Sequence, residues 1–356
     1  MIAGICTVTT GLVLMNFIDS AWTYYLVWGV MIASGSTLAF TVAVDKMLTD
    51  WFISKRGLAF GIRFAIIGIM GVILLPVVSW LSVTQGWRMT CLIWSGVVFA
   101  GVPLVLYFVR QRRPEYYGLL PDGAKVESGL EAGIDGMIAK GMEYAAGFQE
   151  TEFTLRQAMR TPAYWILTVG WIFRGIIFQG FNVHCIPFLT DMGIAPIVAG
   201  SMMATMVFFT IPSRFFSGII ADRVQKKHLK FLPVGVFICM AVGITTFLLH
   251  PTVATVYIFL ILFGFGEGVY TPVDIVIRGR YFGRKAYGSI QGSSVIISAP
   301  VTFLAPICVG WVYDVTGSYI TAFTVFLAMA VFAAFIMFLL RAPRPPAQVD
   351  DIRRFV

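Results

Sequence analysis

Arg63, Arg174 and Arg214 lie within long apolar runs, whereas nearly all other basic residues fall in the breaks between such runs. A guanidinium at hydrocarbon depth costs about 2.5 kcal/mol or more on insertion scales, so it is expected to face a polar cavity, a partner or a bound anion. Its planar fork of donors matches a carboxylate at two points. Arg174 is a dozen residues beyond Pro162, roughly 18 Å at 1.5 Å per residue, too deep for easy snorkelling. Arg63 is only about 10 Å of helix beyond Arg56, so its side chain can also snorkel to the surface. For Arg174 and Arg214 the alternative is a structural ion pair. Glu267 is the acidic counterpart: it falls mid-segment, where desolvation disfavours the charged form and makes protonation a usable coupling event. Asp274 and Arg278 share its helix face, at spacings of seven and four, and read as an intrahelical pair. His184 titrates near neutrality and is a second candidate for a gate or proton relay, against the simpler role of a hydrogen-bonded interfacial histidine.

The elements that hold these residues follow from composition. Hydrophobic residues make up 58% of the 356 and charged residues 12%, against roughly 25% charged in soluble proteins. The chain reads as an all-α polytopic membrane protein. A spanning helix needs about 20 apolar residues, and ten segments qualify: 2–18, 22–47, 58–82, 87–109, 162–189, 195–220, 231–250, 252–277, 286–312 and 318–340. Lys55, Arg56, Arg110, Arg112, Arg113, Arg156, Arg160, Arg223, Lys226, Lys227, Lys230, Arg278, Arg280, Arg284, Lys285 and Arg341 all fall at alternate helix ends, with Arg88 opposite. Basic residues accumulate on the cytoplasmic side. The expectation is a multi-pass protein of the inner or plasma membrane with both termini cytoplasmic. The net charge of +8 then reflects topology and contact with anionic lipid, not nucleic-acid binding. Cys6, Cys91, Cys185, Cys239 and Cys308 are scattered singly, and His184, His228 and His250 are dispersed, so no metal site or cofactor is expected. No GxxxxGK[ST] loop argues for ATP-driven work.

The chain divides into two related halves. Gly57, Gly61, Trp80 and Gly86 recur at one offset as Gly288, Gly292, Trp311 and Gly317, and Trp51-Phe52 is echoed by Tyr281-Phe282. The expected organisation is a four-helix bundle over 1–109, a cytoplasmic linker over 110–160, a six-helix bundle over 161–341 and a cytoplasmic tail over 342–356. Within the linker, 127–144 could form an amphipathic helix on the membrane, but solvated linker is the simpler expectation. Asp45 and Lys46, near the inner end of a helix, read as a surface charge pair or an inner gate.

Gly218-Ile-Ile-Ala-Asp222-Arg223-Val-Gln-Lys226-Lys227 is the strongest local motif. Its glycine permits close helix approach, its aspartate can cap an adjacent helix start, and its basic cluster holds the loop inside. This resembles the loop signature of the major facilitator superfamily. Trp51-Phe-Ile-Ser-Lys55-Arg56-Gly57-Leu-Ala-Phe-Gly61, Arg113-Pro114-Glu115-Tyr-Tyr-Gly118-Leu-Leu-Pro121-Asp122-Gly123 and Tyr281-Phe-Gly-Arg284-Lys285-Ala-Tyr-Gly288 are similar to junctions of its monocarboxylate transporter and oxalate/formate antiporter branch. The resemblance implies a two-bundle fold and a carboxylate ligand role for Arg214. It also implies twelve helices, with this chain starting at the family's third. Oxalate-transporting members carry a lysine in the eleventh helix, and 286–312 contains none.

The resulting expectation is a secondary carrier, not an enzyme. It would move a small organic anion, a mono- or dicarboxylate, by proton symport or anion exchange with alternating access. Arg214, Arg174 and Arg63 would contact substrate, Glu267 and His184 would couple protons, and Gly218, Asp222, Arg223, Lys226, Lys227, Asp274 and Arg278 would serve the conformational change. The alternative is a membrane receptor or a non-transporting remnant of the same fold.

Overall fold

A spanning segment must satisfy its backbone polar groups internally, which in a single continuous segment means a helix. The computed structural model describes residues 1–110, 112–124, 134–147 and 152–344, and its regular elements there are all helical. In chain order they are α1 (Ile2–Phe17), α2 (Ala21–Trp51), α3 (Arg56–Thr84), α4 (Gly86–Phe108), α5 (Ile134–Gly147), α6 (Pro162–Asp191), α7 (Pro196–Arg223), α8 (Phe231–Leu249), α9 (Val253–Phe282), α10 (Tyr287–Thr316) and α11 (Ile320–Phe338). Nine of these described helices are long and apolar enough to cross a bilayer, and α1 is a shorter apolar helix.

The chain forms two compact units. The first comprises Met1–Ile53 with Ile66–Ala145, and the second Ser54–Ala65 with Ala146–Val356. Helix α3 therefore gives its first turns to the second unit. In the first unit, α1 packs on α2 and α4. Helix α2 opens with a capping box, Ser20 with Thr23, and widens into π-helical turns over Tyr25–Ile32 and Thr37–Val42.

Part of the expected solvated linker is packed structure. The Arg113–Gly123 motif forms 3₁₀ turns at Pro114–Tyr117 and Pro121–Gly123. Asp122, in a left-handed conformation at φ 59°, accepts the Ile53 N–H at 3.2 Å and the Tyr144 hydroxyl at 3.2 Å. Glu115 is buried against Gly141 of α5, which also buries Met137 and Ala145. The 127–133 part of the suggested amphipathic helix and nearly all of the 342–356 tail lie outside the described residues. Lys46 pairs with Asp50 one turn on, at 2.6 Å.

The second unit holds α6 to α11. Helix α9 packs on α7 and α8, and α6 on α10 and α11. Its core is aromatic: Phe181 meets Phe259 and Phe263 edge-on with ring centres 4.9 Å apart, and Phe188 meets Phe247 at 5.0 Å. Gly86 follows α3 with φ +78° and Gly317 follows α10 with φ +67°. Glycine adopts these left-handed positions without the usual Cβ penalty, which accounts for its recurrence at both turns.

Candidate functional site

Three of the buried charged residues of the second unit, Glu267, Asp274 and Arg278, lie on α9, whose glycines press it against α7. Gly264 and Gly268, a small-xxx-small pair, lie directly on the backbone of α7: a Cβ at Gly264 would strike Met206, and one at Gly268 would strike Ser213 and the Thr210 carbonyl. Such pairs let helix backbones approach closely. Between them sits Glu267, 1% exposed.

Arg174 reaches Glu267 from α6. Its Nε donates to Glu267 Oε2 at 2.8 Å, and its Nη2 faces Oε1, so the guanidinium grips both carboxylate oxygens. The Trp171 and Phe178 rings flank Arg174, with centres 5.2 and 5.1 Å from its Cζ. Aromatic faces attract a cation, the more so where water is excluded. The arginine side chain keeps 15% exposure against 2% for the glutamate, so the cation forms the accessible side of the pair.

Arg214 is half-buried on α7, and its Nε is buried with no hydrogen-bond partner among the described residues. It acts electrostatically on Arg174. The Phe64 ring lies between Arg214 and Arg63, 5.9 and 5.0 Å from their Cζ atoms. Arg63 also lies 6.0 Å from the Phe60 ring. Arg174 thus carries a carboxylate, while Arg214 and Arg63 flank one aromatic ring.

Further along α9, Arg278 Nε donates to Asp274 Oδ2 at 2.7 Å and its Nη1 to Ser294 Oγ on α10 at 2.8 Å. Ser294 also meets Thr168 of α6 at 3.0 Å, and Tyr164 meets Ser293 at 2.8 Å. Tyr270, between Glu267 and Asp274 on α9, is fully buried against Trp171 and Phe237.

His184 lies elsewhere. Its Nε2 donates to the Pro306 carbonyl at 2.9 Å, and its Nδ1 is 3.3 Å from the Tyr319 hydroxyl, the tautomer following from the carbonyl acceptor. It ties α6 to the proline-containing α10 and to the start of α11. Burial pushes the Tyr319 hydroxyl above the usual tyrosine range.

The Gly218 motif closes the other end of the unit. Asp222 accepts the Gly57 N–H at 2.7 Å and the Leu58 N–H at 2.8 Å, capping the start of α3. A carboxylate there satisfies orphan donors and meets the positive end of the helix dipole. Gly57 and Gly218 touch backbone to backbone, so a Cβ on either would strike the other's carbonyl. Arg280 donates to the Asp222 carbonyl at 2.6 Å and the Val224 carbonyl at 2.7 Å, satisfying the end of α7. Arg223 and Lys227 are exposed and Lys226 is half-buried.

Sequence reading passed over Gly264, Gly268 and Tyr270. The four-residue glycine spacing was a usable signal. Tyr270 had none, because a tyrosine in an apolar run reads as core. Among the described residues, no group of three or more His, Cys, Asp and Glu side chains could hold a metal ion.

A family model described as Major Facilitator Superfamily matches residues 1–299. Monocarboxylate transporter 12 of Xenopus laevis is 27% identical over 333 residues, covering 91% of this chain and 69% of that protein. Its Rattus norvegicus counterpart is 24% identical over 326 residues, covering 88% and 65%. The chain thus spans about two thirds of the length of these relatives. In fold it is similar to the proton:xylose symporter XylE, with a TM-score of 0.67 over 96% of this chain and 79% of that one at 15% identity.

Proposed function

Because the chain belongs to the major facilitator superfamily, a family of membrane transporters and not enzymes, we propose that it carries a small organic anion bearing a carboxylate. The nine long apolar helices among its described residues make it an integral multi-pass membrane protein. The one observation that carries the anion reading is Arg214: Arg174 is held by Glu267, whereas the buried Nε of Arg214 has no hydrogen-bond partner among the described residues. One further negative charge is called for. The monocarboxylate transporters among its relatives support a carboxylate as its source.

In this reading the substrate carboxylate is attracted by Arg214, with Arg63 beside the same phenyl ring, and then competes with Glu267 for the fork of Arg174. A buried charge stripped of its partner costs about 3–5 kcal/mol. Glu267 therefore takes a proton as it is displaced, which couples the anion to a proton and gives symport. Exchange follows where a second anion replaces the first before Glu267 re-forms its pair. His184 is the reserve proton group and otherwise a tie between α6 and α10.

The Gly218, Asp222, Arg223, Lys226 and Lys227 loop, with Asp274 and Arg278, belongs to the alternating-access change. Asp222 does so by releasing or holding the start of α3. The proposed organisation remains bundles over 1–109 and 161–341 joined through 110–160, in the cell membrane, with the basic helix ends and both termini cytoplasmic. Uptake of labelled monocarboxylates into proteoliposomes, with and without a pH gradient, tests the proposal. Accumulation that needs Arg174 and Arg214 supports it; binding without accumulation identifies a receptor.

A further inference from the structure

We infer that the buried polar groups along α9 enclose bound water, and that this water gives Glu267 a proton route toward the Arg278 end of the bundle, separate from the route of the anion. The transport half of the inference rests on the proposed function; the water half stands without it.

Glu267, Tyr270, Asp274 and Arg278 follow one another at spacings of three, four and four, which places them on one face of the helix. From the first to the last the rise is about 16 Å. All four are within 2% of complete burial. Between the Arg174–Glu267 pair at one end and the Asp274–Arg278–Ser294 cluster at the other, three polar atoms have no hydrogen-bond partner among the described residues: the Tyr270 hydroxyl, Asp274 Oδ1 and Arg278 Nη2. Gln291 Oε1, on the same helix as Ser294 and one turn before it, is a fourth. The Tyr270 hydroxyl lies in the field of Asp274, Arg278 and Arg174 together.

Buried polar atoms in folded proteins are almost always satisfied, and where protein groups do not do it, water does. One unpaired atom is an ordinary exception, whereas three in succession along one helix face, with a fourth one turn from Ser294 on α10, describe a place that water fits. These groups supply both senses of bond: Arg278 donates, Asp274 and Gln291 accept, and the tyrosine hydroxyl does either. A file built this way can pass a proton by successive hydrogen-bond exchange. Among the described residues, the aromatic side of the same unit, at Phe259 and Phe263, has no such unpartnered groups and is the dry control.

Two measurements on the full chain test this. In X-ray radiolytic footprinting of the solubilised protein, a side chain touching bound water is oxidised even when buried. Corrected for intrinsic reactivity, Tyr270 is expected to be modified at least about fivefold faster than the equally buried Phe259 and Phe263. Protection of Tyr270 equal to theirs would overturn the water. In proteoliposomes, Tyr270→Phe removes one link while keeping the ring. Uptake driven by a pH gradient is expected to slow by about tenfold, with exchange at equal pH unchanged. Equal slowing of both, or of neither, would overturn the proton route. If the wild-type chain neither accumulates nor exchanges anion, the carrier reading and the proton route both fall, and the footprint alone decides the water.

Discussion

Arg174 and Glu267, 93 residues apart in the chain, meet in a two-point ion pair between α6 and α9, with the carboxylate buried and the guanidinium partly open. The pair couples an anion-binding group to a proton-accepting one, because anything that occupies the first must release the second.

Glu267→Gln is the closest mimic of the released, protonated state. Uptake driven by an imposed pH gradient is expected to vanish in this variant, while exchange of labelled for unlabelled anion at equal pH stays measurable. pH-driven accumulation in the Gln variant would move the proton to His184. Glu267→Ala, which leaves Arg174 without its partner, is expected to lower stability by about 3–5 kcal/mol, read from thermal or denaturant unfolding in detergent.

Arg214→Lys keeps the charge but loses the planar fork. Anion binding is expected to weaken by about tenfold or more, since a lysine cannot reproduce two-point contact with a carboxylate. Arg63→Lys is expected to fall within about threefold of wild type, because a lysine stem supports a snorkelling cation equally well. Titration of both variants by the same ligand compares them, and equal small losses would remove Arg214 from the binding site.

At the opposite end of the unit, Asp222→Ala removes the carboxylate that accepts the Gly57 and Leu58 N–H groups. Loss of such a cap costs about 0.5–2 kcal/mol. Gly57→Ala is expected to be worse, because the added methyl runs into the Gly218 carbonyl, which is backbone and cannot turn aside. Unfolding temperatures of the two variants in detergent check the order.

The one-sided basic residues make a topological prediction. On a background free of native cysteines, a cysteine at Lys226 is expected to react only with reagents that reach the cytoplasm, and one at Gln85 only from outside. Labelling of both from the same side would overturn the proposed orientation.

The sequence was informative where one residue type carries one physical cost. Arg63, Arg174 and Arg214 stand out in the apolar runs but are half-buried, whereas the fully buried arginines are Arg56, Arg278 and Arg284 near helix ends. Asp222 stands out by its position after a glycine at a helix end, and the structure has that aspartate capping α3. The recurrence of Gly86 as Gly317 is visible as two left-handed turns. What stayed hidden depends on partners distant in the chain. Glu267 could have paired with any arginine, and only the packing of α6 on α9 selects Arg174. The linker looked solvated because Glu115 and Asp122 are charged, but each meets a partner far along the chain, Gly141 beside the first and the Ile53 and Tyr144 donors on the second. Tyr270 is indistinguishable from core until its unpartnered hydroxyl is seen among three charges.

Competition between substrate and Glu267 for Arg174 is the central claim, and proton uptake on binding tests it most directly. A pH-indicator dye in weakly buffered detergent solution reports protons taken up as the protein is titrated with whichever monocarboxylate most raises its unfolding temperature. About one proton per bound anion is expected for the wild type and none for Glu267→Gln, since each displaced carboxylate must be neutralised once. Anion binding with no proton uptake in the wild type, or with the same uptake in both proteins, would contradict the account.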